Sequence, residues 1–327
     1  MKIQTTEQGF SILEMLLAMS ITIGLTGTIF YFIQKGQVTY TVEGARSDMQ
    51  QNFRAAVDLI SRDIQAAGAG IPKFLGPILT KDGGGTNPDR ILILYGNPDF
   101  SRATVAGPVA SSTAQITAMD TSTATPSSYV VGKTYLLYNQ AKVQSPLPTD
   151  VTDFAEFSVF SIAASGDIVS VTGGKKITPT VSGTLSTYLS GSTWSHTMSF
   201  PSGSDLAVVE LQEMVEYQID SVNKTLQRNQ NQTGWVDVAR GITDLQFAYG
   251  IETVDNSTTP ATFPESVVDN VVQSASNNRA LIRRVRVTLT GQTQMATDPD
   301  HLGQRAVSLY VTVAPRNLVL TGFVPNR

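Results

Sequence analysis

The chain has 327 residues, 41% of them apolar, enough for a sizeable buried core. Its 23 basic and 27 acidic residues leave a formal net charge of −4, which gives no general reason to expect nucleic-acid binding. There are no cysteines, so disulfide frameworks, thiolate metal sites and cysteine nucleophiles are excluded.

Residues 1–9 are short and polar, with one lysine, Lys2. A nearly continuous apolar run follows from Phe10 to Ile33, and its only Asp, Glu, Lys or Arg is Glu14. A helix of about 20 apolar residues, rising ~1.5 Å per residue, crosses a bilayer, so the run is long enough. A secretory signal peptide would carry an A-x-A-like site after the apolar region, but Gln34-Lys35-Gly36-Gln37 follows Ile33. A plain membrane anchor accounts for the run and leaves Glu14 unexplained, because a carboxylate at mid-bilayer costs about 2.5–3.5 kcal/mol. At the membrane edge and at a helix N-terminus that cost falls, and the helix dipole favours the charge.

The string Gly9-Phe10-Ser11-Ile12-Leu13-Glu14 resembles the processing site of type IV prepilins and type II secretion pseudopilins. The resemblance implies that residues 1–9 are a leader peptide. Prepilin peptidase would cut after Gly9 and methylate the new N-terminal Phe10. Glu14 then stands at mature position five, where that family carries its acid. In a filament core the carboxylate is costly unless neutralised, and the Phe10 amine of a neighbouring subunit is the natural partner. The family also implies a cytoplasmic leader; Lys2 before the span and Lys35 and Arg46 after it give little orientation by charge.

Beyond the apolar run, Met49, Phe53, Ala56, Val57, Ile60, Ile64 and Ala67 recur at three- and four-residue spacing. That is the stripe of an amphipathic helix, with Asp58, Arg62 and Asp63 among the polar residues opposite. Gly68 and Gly70 supply a stop, and Pro72 forbids continuation. Residues 10–33 therefore read as the transmembrane half of one helix and 34–70 as its stem, with a length of about 85 Å at ~1.5 Å per residue. Gly24, Thr26 and Gly27 interrupt the apolar half. They fit either close helix packing in the membrane or a segment that bends in a filament.

Residues 71–327 read as a β-rich globular domain. Strands are expected at Arg90–Tyr95, Tyr129–Tyr138, Phe154–Ile162, Leu206–Ile219, Ala280–Leu289 and Arg305–Val313. Residues 101–205, rich in Ser, Thr and Gly, read as β-structure with long loops or as an insertion subdomain. A helix is expected at Pro264–Ser276, with Val267, Val268, Val271 and Val272 on one face. The expected class is α+β: a long N-terminal helix packed on a mainly antiparallel sheet.

Ser61-Arg62-Asp63-Ile64-Gln65-Ala66-Ala67-Gly68 is similar to the stem end of the PilW family, where an Arg-Asp pair precedes an Ala-Gly break. Asn87-Pro88-Asp89-Arg90, the Gly241–Phe247 string with Tyr249-Gly250, the strand Arg284–Leu289 and the closing Ala314-Pro315-Arg316-Asn317 resemble its later elements in order. The resemblance implies a minor type IV pilin in a tip or priming complex that starts assembly. Its partners would be prepilin peptidase, other minor and major pilins, the inner-membrane assembly platform and membrane lipid. It would sit in the inner membrane by one span, with a periplasmic domain, and reach the pilus after assembly. Two alternatives stay open: a tip adhesin binding a surface ligand or DNA through 101–205, or a minor pseudopilin like GspJ.

Nothing in the sequence assembles a catalytic centre, and no cofactor or metal is expected. His196 and His301 lie far apart without metal-spaced partners. There is no G-x-S-x-G elbow, and Gly173-Gly174-Lys175-Lys176 lacks the Walker A spacing. The Asp82–Asp89 and Asp298–Asp300 loops read as turns rather than calcium loops, since neither has EF-hand spacing. Arg279, Arg283, Arg284 and Arg286 form a basic cluster, read as a solvated strand face, with DNA or an acidic pilin as the functional option.

Overall fold

The computed structural model describes residues 11–71, 76–85, 87–100, 103–106, 109, 115–119, 129–139, 157–172, 174–181, 206–252, 265–269, 282–292 and 306–319. The chain forms two compact units, Met1–Gln51 with Thr293–Arg305, and Asn52–Gln292 with Ala306–Arg327.

A single helix, α1 (Ile12–Ala66), runs for 55 residues. Ser11 starts it: its carbonyl accepts the Glu14 and Met15 amides at 3.0 and 3.1 Å. Its hydroxyl oxygen also accepts the Leu13 N–H at 3.3 Å. Gly24 and Gly27 do not interrupt the helix. Around them Ser20, Thr22, Thr26 and Thr28 donate their hydroxyls to carbonyls three or four residues back. Each of these hydroxyls is thus satisfied without water, as an apolar environment demands.

The far end of α1 belongs to the second unit. The stripe residues Phe53, Ala56, Val57, Ile60, Ile64 and Ala67 are all buried there. Gly68 and Gly70 adopt positive φ, +78° and +69°, which releases the chain from the helix. Asn317 donates its side-chain amide to the orphaned carbonyls of Ala66 and Ala67 at 3.4 and 3.2 Å. The Gly68 amide donates to Leu94 O at 3.0 Å, so the helix end is tied directly to a strand.

Among the described residues every strand pairing is antiparallel. The larger sheet contains β1 (Ile78–Lys81), β2 (Arg90–Gly96), β3 (Ala103–Val105), β4 (Ile116–Met119), β5 (Thr134–Asn139) and β6 (Phe157–Ser161). It continues with β7 (Ile168–Val171), β8 (Gly174–Ile177), β9 (Thr180–Val181), β10 (Leu206–Asp220), β11 (Thr225–Gln230) and β12 (Trp235–Arg240). The smaller sheet has the order β14 (Glu265–Val268), β13 (Ile242–Glu252), β15 (Ile282–Gln292), β16 (Ala306–Val313). A short helix, α2 (Arg316–Val319), follows β16 and carries Asn317.

The 15-residue β10 is the spine of the larger sheet. Its first half pairs with β3 and β5, and its second half with β2 and β11. The described strands between 101 and 205 therefore join the same sheet as β2. Both faces of its first half are buried. Ala207 and Val209 enter one core with Leu92, Leu94, Leu136 and Tyr138. Leu206 and Val208 enter another with Tyr135, Leu137, Phe160 and Ile177. That explains the unbroken apolar run at the start of β10, where a one-sided strand would alternate.

Several expectations change. Residues 265–268 of the expected 264–276 helix are strand β14, paired with Tyr249–Glu252. β-branched Val267 and Val268 suit a strand at the edge of β13, and Val267 is 62% exposed, while Val271, Val272 and the rest of the expected helix lie outside the described residues. The strand expected from Tyr129 begins only at Thr134, because Gly132 turns at φ +82° and donates its amide to Ile162 O. The strand expected from Phe154 begins, among described residues, at Phe157.

Candidate functional site

The sequence singles out the start of α1. Gly9 and Phe10 lie outside the described residues. Glu14 sits in the first turn of α1 and is exposed. The positive end of the helix dipole meets a carboxylate there. Behind it every large apolar side chain from Ile12 to Ile33 is exposed, from 48% at Ile33 to 82% at Ile12. The helix is long and apolar enough to cross a membrane.

Soluble proteins rarely leave more than a few hundred Å² of contiguous apolar surface uncovered. Each large apolar side chain removed from water contributes roughly 1.5–3 kcal/mol, so this segment favours a lipid or helical covering strongly. Around Gly24 and Gly27 an added Cβ would meet nothing within 4 Å, which leaves a shallow surface for a neighbouring helix.

At the other end of α1 the Arg62-Asp63 pair divides. Arg62 is exposed, while Asp63 faces the sheet. Tyr217 on β10 donates its hydroxyl to Asp63 Oδ2 at 2.5 Å. Arg228 on β11 donates Nε to the same oxygen at 3.1 Å and Nη2 to Glu213 Oε1 at 3.0 Å. Tyr95 on β2 donates to the Asp63 carbonyl at 2.7 Å. Burial and the Asp63 carboxylate push the Tyr217 hydroxyl far above its ordinary range. Burial opposes the Arg228 charge, yet Asp63 and Tyr217 hold the guanidinium above its usual value. The network fixes the stem to three strands, β2, β10 and β11. Sequence pattern alone missed Tyr217 and Arg228, because their partner Asp63 lies 154 and 165 residues away, and with them Glu213, which joins through Arg228.

The Asp82–Asp89 loop is a locked turn. Asp89 is buried; its Oδ1 accepts the Gly83 amide at 2.9 Å and its Oδ2 the Phe247 amide at 2.8 Å. Burial lifts the Asp89 carboxyl above the ordinary range, while the two amides oppose the lift. Among the described residues no group of three or more His, Asp or Glu could hold a metal ion. Arg284 and Arg286 are exposed and alternate with buried Val285 and Val287 on β15. The Arg286 guanidinium lies 5.9 Å from the Tyr310 ring centroid. Arg279, His196, His301 and Asp298–Asp300 lie outside the described residues.

No protein-family model, no curated protein and no solved structure matches the chain.

Proposed function

We propose that the chain is a minor type IV pilin of the PilW kind, which helps to prime or tip the filament. The carrying observation is Glu14 in the first turn of a continuous helix whose large apolar side chains are all exposed as far as Ile33. A membrane anchor needs only the apolar surface. The acid at the fifth position after Gly9 needs a second explanation, and neutralisation by the Phe10 amine of a neighbour supplies one. The stem stripe and its anchorage at Asp63 fit a subunit held in a filament by α1 while its β-domain is displayed.

In this reading prepilin peptidase removes residues 1–9. The mature subunit then waits in the inner membrane with its domain in the periplasm. The assembly platform and other pilins receive it, and no catalysis is its own. Glu14→Ala is expected to leave cleavage intact and to lower surface piliation about ten-fold or more, the scale of a lost charge-assisted contact. Immunoblotting for processing and electron microscopy for pili check this. Normal piliation with Glu14→Ala would refute the registry role.

A further inference from the structure

The outer face of the smaller sheet carries an open cleft of about 370 Å³. Its floor is Gln246 of β13 with Arg286 and Thr288 of β15; Asp82 and Asp269 wall it. Register brings the floor together: Gln246 lies opposite Thr288, and Thr288 lies opposite Tyr310 of β16, which is 70% exposed. The volume falls at the small end of the roughly 300–1,000 Å³ of small-molecule sites.

Three of these polar groups are held by second contacts that leave binding capacity open. Gln246 Nε2 donates to Asn87 O and to Asp244 Oδ1, both at 2.9 Å, which fixes the amide and leaves Oε1 without a partner among the described residues. Asp82 Oδ1 accepts the Gly84 amide at 2.7 Å, leaving Oδ2. Arg286 leans on Tyr310, and among the described residues no ion pair joins it to Asp82 or Asp269. Holding the groups in place before binding reduces the ordering cost of a ligand.

The charges select the ligand. An anion drawn to Arg286 meets Asp82 and Asp269, and a cation drawn to those carboxylates meets the guanidinium. A neutral ring bearing several hydroxyls suits both, because each hydroxyl donates to a carboxylate or amide oxygen and accepts from guanidinium. We propose that this cleft binds a neutral saccharide of one or two pyranose units. The proposal does not depend on the pilus assignment.

The test uses the full chain in lipid nanodiscs, free of glycoside detergents, titrated with glucose, galactose, mannose, N-acetylglucosamine and lactose by saturation-transfer NMR. Saturable binding of at least one neutral sugar is expected. Arg286→Gln and Asp269→Asn should each weaken it about ten-fold or more, the scale of one lost hydrogen bond to a charged group. Both variants should keep the parent's thermal unfolding, since both side chains are exposed. Three results would overturn the proposal: no saturation by any sugar, binding unchanged in both variants, or tighter binding of the charged probes sialic acid or glucosamine. Each leaves the Glu14 assembly result untouched.

Discussion

Asp63→Ala is expected to destabilise the β-domain by about 1.5–3 kcal/mol, the scale of losing hydrogen bonds to a charged group in a part-buried site. The substitution leaves the hydroxyl of Tyr217 without its acceptor and strips Arg228 of one of its two carboxylates. Arg228 keeps Glu213 and Gln230, so the guanidinium is weakened rather than orphaned. Asp63→Asn retains an oxygen for Tyr217 and should lose less. Asp58→Ala, on the exposed face of the same helix, should stay within about 0.5 kcal/mol of the parent. Urea unfolding of the full chain in detergent measures all three. Equal midpoints for Asp63→Ala and Asp58→Ala would show that the network does not hold the stem.

Gly291→Val is expected to cost about 3 kcal/mol or more through overpacking. A Cβ at Gly291 would lie 2.6 Å from Cζ of Phe53 and collide with the Gly241 carbonyl. That carbonyl is fixed, because it also accepts the Gln292 amide at 3.0 Å. The Phe53 ring occupies the space a side chain would fill, so helix and sheet are fitted at a point without a Cβ. Coupling follows: Phe53→Leu with Gly291→Ala should cost less than the sum of the two single changes, by about 0.5–3 kcal/mol. Strict additivity, or Gly291→Ala within 0.5 kcal/mol of the parent, would contradict this contact.

These two sites mark where sequence reading ends. The stem helix was legible because seven apolar residues at helical spacing need no tertiary knowledge, and Gly68, Gly70 and Pro72 announce its end. β15 was legible because Ile282, Val285, Val287 and Leu289 separate cleanly from Arg284 and Arg286. β11 and β12 were not legible. Thr225–Gln230 is mostly polar and forms a strand on the edge that β10 offers, and Trp235–Arg240, whose apolar residues do not alternate onto a buried face, pairs in turn with β11. β14 was misread because four to six residues containing adjacent valines satisfy helix and strand patterns alike.

At the candidate site the sequence identified Glu14 and the apolar run, since both are local. It flagged Asp63 through its neighbours without a role for it. The role needed Tyr217 and Arg228, which lie 154 and 165 residues away in the chain. The cleft was invisible for the same reason. Asp82, Gln246, Asp269 and Arg286 belong to four separate stretches, and only the β13–β15 register and the loop after β1 assemble them.

Intact-mass and N-terminal peptide mass spectrometry of the protein from membranes tests the proposed processing between Gly9 and Phe10 most directly. The account predicts a chain that begins at Phe10, carrying one methyl group on its amine, with Glu14 fifth. A chain that retains Met1, or one cut after Ile33, would contradict it.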